Sequence, residues 1–393
     1  MFILATLLID AIGIGIVFPI LPELMLRVGS DSAADGSVRG GILMAAYAAT
    51  QFLFGPVVGS LSDAKGRKPV LIAALLLLVL DYVLMALAWS FWLLLIGRAL
   101  AGMAGATYVT ATAYIADVSK PEDRAANFGL IGAAFGIGFV LGPVIGGLAA
   151  TIHVTAPFWI AAGLSLANAV FGIFVLPESL APENRRPLAR GDFNPFGSIL
   201  RAFRIPLLSL PLTLLFVLEF ANMVYPTIWA FWLTALFGWG PAAIGMSLAA
   251  YGIGIAFTQG VIMRYAIRAL GEGGTLRLAI IAGLIALVGF SFTSRVWMVF
   301  VLLPIACLAD MAPATMTAMT ANRVSDDRQG LVQGVIASLA AVSAIVAPLA
   351  VTFVFRNYAD GEGFYLPGAP FLMSAILVAA ILPFLRRLEI SPQ

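Results

Sequence analysis

Five ionisable residues interrupt otherwise apolar runs of this 393-residue sequence: Asp10, Asp81, Arg98, Glu219 and Asp310. A charge at the centre of a bilayer costs at least about 2.5–3.5 kcal/mol on insertion scales, so each needs a partner or a task. Asp81 and Arg98 lie either side of a turn near Trp89 and Ser90, at similar distances from it. On antiparallel helices that spacing puts them at one depth, and the sequence predicts an ion pair between them. Such a pair either locks two helices together or opens as a proton-linked switch, because parting the charges changes the proton affinity of both. Asp10, Glu219 and Asp310 have no basic residue at their depth. Low dielectric favours the neutral form of a carboxyl group. A carboxyl protonated when facing one side and ionised when open to the other is a proton carrier. The other readings are a neutral, hydrogen-bonded core acid or an anchor for a cationic substrate. Asp10 has one more: capping or binding a neighbouring helix.

Other chemistries lack their residues. His153 is the single histidine and Cys307, within an apolar run, the single cysteine. Histidine-based catalysis, a zinc site and a disulfide framework are therefore excluded, and no nucleophile elbow is present. The expectation is a chain that is not an enzyme and uses no metal or cofactor. A net charge of +2, with the basic residues lying in loops, predicts no nucleic-acid partner.

The elements that must position these groups are membrane helices. The chain is 61% hydrophobic and only 11% charged, whereas soluble domains are about a quarter charged. Twelve apolar runs can be drawn, at approximately 2–22, 40–61, 69–89, 91–117, 125–150, 157–176, 207–237, 241–264, 275–293, 297–320, 329–355 and 368–386. Each is long enough for a hydrocarbon core of about 30 Å. The first carries Asp10 and has no basic leader, so it reads as a retained helix rather than a signal peptide. Residues 1–176 form an N-terminal six-helix bundle, 177–206 a Pro- and Arg-rich cytoplasmic linker, and 207–393 a C-terminal six-helix bundle. Seventeen Lys and Arg residues fall in loops on one side and four on the other. By the positive-inside rule both termini are cytoplasmic. A weak internal repeat supports the duplication: Glu122, Asp123 and Arg124 recur as Asp326, Asp327 and Arg328, each after a helix rich in Ala, Thr, Gly and Met.

Three further patterns carry function. Residues 59–68 read GSLSDAKGRK, an acid and three bases in a glycine-bearing turn between two spans. In the fifth span Gly138, Gly142, Pro143, Gly146 and Gly147 recur at intervals that permit close helix contact, with a hinge or kink expected at Pro143. Tyr47, Gln51, Tyr108, Phe220, Asn222, Tyr225 and Trp229 surround the buried acids and would suit a large, mostly apolar cavity with a few polar fixing points. Gln51 stands out, because an amide inside an apolar helix needs a partner.

Gly59, Leu61, Asp63, Gly66, Arg67 and Lys68 match G-x-L-a-D-r-x-G-r-k, the loop between the second and third helices of major facilitator superfamily transporters. The fifth-span glycines resemble the G-x-x-x-G-P-x-x-G-G motif of that superfamily's proton-driven exporters. Together with the segment from Asp10 to Pro22, Tyr47 to Leu53, Gly97-Arg98 with Gly102 and Gly105, and Tyr114 to Asp117, they resemble the tetracycline–proton antiporters. The likeness is dense in the first half and thin in the second. It implies an all-α membrane protein with twelve transmembrane helices in two pseudo-symmetric six-helix bundles, a monomer in the bacterial inner membrane. The implied activity is proton-coupled efflux of a small, amphipathic drug-like or metabolite substrate by alternating access. The alternatives are a proton-coupled uptake symporter or a non-transporting receptor of the same fold. By this likeness Asp63 and Arg67 form a cytoplasmic gate with Asp117, Gln51 contacts substrate, and Asp10, Asp81 and Arg98 support coupling. One departure is specific: Ile255 and Leu287 stand where the tetracycline exporters carry a histidine and an aspartate, which puts recognition of a magnesium–tetracycline chelate in question. Glu219 and Asp310 stand where uncharged residues are expected.

Overall fold

The computed structural model of the chain describes residues 2–105, 107–120, 123–188, 206–324, 329–360 and 364–390. Among the described residues there are helices and connections and no strand. Ten helical stretches are long and apolar enough to cross a membrane. One of them, Pro241–Ser291, has 51 residues, far more than the ~20 needed for one crossing. It divides at Gly271, whose φ of 69° and ψ of 176° lie where only glycine is comfortable. With that division and the shorter apolar helix Ala369–Leu385, the structure is consistent with twelve crossings.

We label them α1 (Ile3–Arg27), α2 (Ala33–Lys65), α3 (Arg67–Leu87), α4 (Phe91–Val118), α5 (Arg124–Ala150), α6 (Ala156–Val175), α7 (Leu208–Phe237), α8 (241–270), α9 (272–291), α10 (Val296–Ala321), α11 (Gln329–Ala359) and α12 (Ala369–Ile390). The chain forms two compact units. Unit 1 comprises Met1–Asp31, Ile42–Pro195 and Trp239–Ala249; unit 2 comprises Ser32–Gly41, Phe196–Gly238 and Ala250–Gln393. The beginnings of α2 and α8 therefore belong to a different unit from the rest of each helix. The internal-repeat residues Glu122 and 326–328, the linker residues 189–205 and the side chain of Tyr108 lie outside the described residues.

In unit 1, α1 packs along α5, and α3 packs on α4 and α6. The glycines of α5 explain the first contact. A Cβ on Gly142 would stand 2.6 Å from the Ile12 carbonyl oxygen, and one on Gly146 would stand 2.5 Å from that of Ile16. The two backbones touch, and nothing larger than hydrogen fits between them. Gly138 faces Ala11 and Ile12 in the same way. The helix runs unbroken from Arg124 to Ala150 through Pro143, whose ring lies beside Gly15. Leu7, Leu71, Ala111, Tyr114, Ile115 and Ile131 pack together in an apolar core that joins α1, α3, α4 and α5. In unit 2, Leu208, Leu212, Val332, Val335 and Leu339 pack α7 against α11.

Several spans are interrupted. The first segment of α4 ends at Ala104 with Gly105 as its cap, α7 has a turn at Met223 with α-type backbone bonds on either side of it, and α10 has a turn at Asp310, while α8 contains a π turn over Thr258–Ile262. In hydrocarbon a freed backbone group must find another partner, so such breaks persist only where protein or water supplies one.

Candidate functional site

The first cluster lies within the spans of unit 1. Asp81 and Arg98 form the ion pair that their spacing predicts, through Arg98 Nη2 and Asp81 Oδ2. Asp81 is 0% exposed and Arg98 8%. Room for the carboxylate comes from Gly97, where a Cβ would stand 2.8 Å from Asp81 Oδ1. The Arg98 guanidinium also lies 5.8 Å from the centre of the Tyr47 ring, within cation–π range. Asp10 is buried, and its Oδ1 has no hydrogen-bond partner among the described residues. The charges of Asp10, Asp81 and Arg98 all act on Tyr47 and Tyr82, and Tyr82 closes over Gly13, three residues beyond Asp10. The Gln51 amide has the partner it required. Its Nε2 donates to the carbonyl of Gly105, the cap of the first segment of α4, over 3.1 Å. Gln51 and Tyr47 are half-buried.

The second cluster is the turn between α2 and α3. Arg67 is 8% exposed. Its Nη1 donates to Asp63 Oδ1 and to Ser62 Oγ, the latter over 3.0 Å, and its Nε donates to Asp117 Oδ2 over 3.1 Å. Asp63, Arg67 and Asp117 are thus joined as expected, with Ser179 Oγ donating to Asp117 Oδ2 over 3.0 Å. Gly66 makes the turn with φ 103°, and Lys68 Nζ donates to the Ile173 carbonyl over 2.8 Å. Gly59 has more room: a Cβ there would stand 3.7 Å from Val109.

Glu178, just beyond α6, is the residue that sequence reasoning missed. Its Oε1 accepts from the backbone N–H of Arg67 at 2.8 Å and from those of Ser179 and Leu180 at 3.0 Å, and its Oε2 accepts from Lys68 N–H at 3.2 Å. The carboxylate caps the start of α3, where N–H groups lack intrahelical partners and the helix dipole favours negative charge. The only local signal was an acid directly after a span on the side of the turn.

This cap makes two predictions. Partial burial pushes the Glu178 carboxyl up, but the backbone N–H donors of Leu180, Arg67, Lys68 and Ser179 outweigh it and hold it below the ordinary 4.5. A depressed carboxyl stabilises the fold above its unfolded value, and the contribution is lost as pH falls through the folded value. Hydrogen exchange at the Arg67 and Lys68 amides, corrected for intrinsic rate, should therefore stay slow above pH 4.5 and quicken below it, and Glu178→Gln should flatten that profile. Gly66→Ala should expose the same amides at every pH. The new Cβ would strike the Glu178 carboxylate at a φ that costs an L residue about 1–2 kcal/mol.

The third cluster lies in unit 2. Tyr251 Oη donates to Asp310 Oδ2 over 2.7 Å, and the charge of Glu219 acts on Asp310. Neither acid forms an ion pair among the described residues, and both are half-buried, like Phe220 and Asn222. Asp310 sits at the turn within α10, and Glu219 lies one helical turn before Met223 in α7. Tyr225 and Trp229 are 7% and 5% exposed and belong to an aromatic cluster. The Tyr225 ring lies 5.8 Å from Tyr251 and 5.8 Å from Phe371, and Trp229 meets Phe290 edge-on at 5.3 Å. Tyr251, on α8, carried no signal in the sequence, because a tyrosine in an apolar helix does not reveal which acid it meets. Leu287 is buried at 1% exposure and Ile255 is half-buried, neither offering a polar group.

The family model described as the Major Facilitator Superfamily matches residues 3–348. The class C tetracycline resistance protein of Escherichia coli is 38% identical over 98% of this chain and 96% of its own length. The class E protein of Escherichia coli is 36% identical over 90% and 87%. The crystal structure of the nucleoside transporter NupG superposes with a TM-score of 0.81 at 12% identity, over 100% of this chain and 99% of that one, a likeness of fold alone. The interrupted spans, the charges within them and the turn between α2 and α3 thus sit in a chain that belongs to the Major Facilitator Superfamily and is similar, within it, to the tetracycline resistance proteins.

Proposed function

We propose that the protein is an integral-membrane, proton-coupled efflux transporter of a small amphipathic compound, working by alternating access between two helical halves, 1–176 and 207–393. The observation that carries the coupling is the pair of half-buried carboxyls, Glu219 and Asp310, which lie within the spans α7 and α10 and form no ion pair among the described residues. Ionisable residues inside a membrane span are by default functional-site candidates, proton relays among them. Efflux is supported by the extended likeness to tetracycline resistance proteins and by the α5 glycines. In this reading Asp10, Asp81 and Arg98 assist coupling, and Gly59, Asp63, Gly66, Arg67, Lys68 and Asp117 form the cytoplasmic gate. Tyr47, Gln51, Tyr108, Phe220, Asn222, Tyr225 and Trp229 supply the substrate's surroundings, and Gly138, Gly142, Pro143 and Gly146 the close packing of α5. The excess of loop Lys and Arg on the side of the proposed gate supports cytoplasmic termini by the positive-inside rule, and the likeness to the tetracycline resistance proteins of Escherichia coli supports a bacterial inner membrane. The protein acts as a monomer.

Everted vesicles holding the full-length protein test this. With an acidic lumen, tetracycline or another compound from a drug panel should accumulate inside as protons leave. Accumulation only under the reverse gradient would mean uptake symport. Glu219→Gln and Asp310→Asn should each remove the dependence on the gradient; normal pH-driven transport in both would overturn the assignment of the carriers.

A further inference from the structure

We infer that a pocket at the end of unit 1 nearest the turn between α2 and α3 holds one acyl chain of a membrane phospholipid, and that its occupancy steadies that turn. The pocket has a volume of about 340 Å³, at the lower end of the ~300–1,000 Å³ of small-molecule sites. Ile3, Leu4, Ile115 and Leu176 give it an apolar wall, and Val118 and Leu130, 58% and 48% exposed, stand at its mouth. The lining comes from the ends of four crossings. Ile3 begins the first, Val118 closes the fourth, Asn127 begins the fifth, and Leu176 follows Val175, the last residue of the sixth. The pocket therefore lies at the boundary between hydrocarbon and headgroups, in the leaflet on the side of the turn; the transport reading above makes this the cytoplasmic one.

Polar side chains share this lining: Tyr114, Ser119 and Asn127. Asn127 Nδ2 donates to Ser119 Oγ over 2.7 Å. Among the described residues the second amide N–H of Asn127 and the O–H of Ser119 make no further bond, so both can donate to a ligand carbonyl. Lys120, exposed and just beyond the end of α4, carries a positive charge at the depth of a lipid phosphate. A chain that leaves the bilayer for an apolar pocket gains no hydrophobic free energy, because lipid tails are as apolar as leucine. The polar groups must therefore select the occupant, and they match the ester carbonyl and phosphate of a phospholipid. Water suits the apolar wall poorly, since a buried water needs two to four polar partners.

Two lining residues join the pocket to the turn. Tyr114 lies one helical turn before Asp117, which accepts from Arg67. Its Oη donates over 3.2 Å to the carbonyl of Pro177, the residue before Glu178, whose carboxylate caps the Arg67 and Lys68 amides. A chain packed against Tyr114 and Leu176 would fix the end of α4 against that of α6 through dispersion contacts, and with them the Asp117 and Glu178 carboxylates.

The test uses the full-length protein, delipidated in detergent, and one equivalent of phosphatidylglycerol with a photoactivated diazirine near the ester end of one chain. Photolysis and peptide mass spectrometry should place the label on residues 3–4, 114–119, 127–130 and 176–177. Label spread evenly over exposed apolar positions such as Leu166 and Phe174 of α6 would overturn the inference. In native mass spectrometry one phosphatidylglycerol should bind roughly tenfold more tightly than the next, and glycerophosphoglycerol, the headgroup without chains, should not compete. Val118→Trp, which closes the mouth, should weaken that binding roughly tenfold, and Asn127→Leu several-fold. Leu166→Trp, exposed and outside the pocket, should leave it unchanged. Competition by the chainless headgroup, or wild-type affinity in Val118→Trp, would count decisively against a lipid chain here. One-for-one displacement of the lipid by tetracycline would make the pocket a drug site and sink the lipid assignment. Hydrogen exchange at the Arg67 and Lys68 amides should slow roughly tenfold once lipid is bound; exchange that ignores bound lipid would remove the link to the turn. The labelling of wild type decides the matter even where a variant fails to fold.

Discussion

Asp81→Asn should cost the protein about 3–5 kcal/mol of stability, the penalty for leaving one charge of a buried pair alone. Arg98, 8% exposed, would lose the carboxylate it meets. Its Nε already lacks a hydrogen bond, and the Tyr47 ring at 5.8 Å offers only about 0.5–2 kcal/mol. Arg98→Gln should be as harmful for the converse reason: Asp81 is 0% exposed, and its Oδ1 is also without a partner. The double variant, Asp81→Asn with Arg98→Gln, removes both charges and should recover most of the loss, since a buried ion pair is often no better than a neutral pair of similar volume. Thermal unfolding in nanodiscs, followed by tryptophan emission, checks all three. If the double variant melts as low as the singles, the pair is not the source of the loss. If it melts like wild type but transports nothing, the pair is a switch rather than only a lock. That outcome separates the two readings left open by the spacing of Asp81 and Arg98.

Gly142→Val should unseat α5 from α1. A Cβ at this position already stands 2.6 Å from the Ile12 carbonyl oxygen and 2.9 Å from the Gly15 Cα. Both contacts are backbone, so no side chain can turn aside to make space. Overpacking costs typically about 1–3 kcal/mol, and contact with an unyielding backbone puts valine at or above the upper end. Gly142→Ala should show a smaller loss in the same direction, and Gly146→Val, against the Ile16 backbone at 2.5 Å, one of similar size. Gly132→Ala serves as control, because a Cβ there meets nothing within 4 Å. The yield of monodisperse protein and its melting temperature report the effect. A Gly142→Val protein as stable as wild type would remove the packing account of these glycines.

Much of the first unit was legible in the sequence because its determinants are local or periodic. Composition and run length pointed to membrane helices, since continuous apolar runs of about twenty residues are the length a helix needs to cross hydrocarbon with its backbone bonds satisfied internally. The depth of Asp81 and Arg98 could be counted from one turn, so their meeting was predictable. Gln51 required a partner, though not a particular one. Residues 59–68 announced their turn and the involvement of Asp63 and Arg67.

Other features depend on packing across long separations. Glu178 caps α3 from a position 111 residues away, and Tyr251 reaches Asp310 across 59. Neither distance leaves a trace in a local pattern, because any of several helices could have supplied the partner. Tyr225 and Trp229 looked like cavity residues by type, and the fold places them in an aromatic cluster. By itself the sequence determined the class of fold, the ion pair of unit 1 and the charged turn at residues 59–68, since burying charge in lipid permits few solutions. Only the tertiary structure decided which N–H groups Glu178 caps, which tyrosine holds Asp310, and that neither Glu219 nor Asp310 meets a counter-charge among the described residues. Those contacts arise where separate helices meet, and side-chain direction there is set by packing rather than by spacing along the chain.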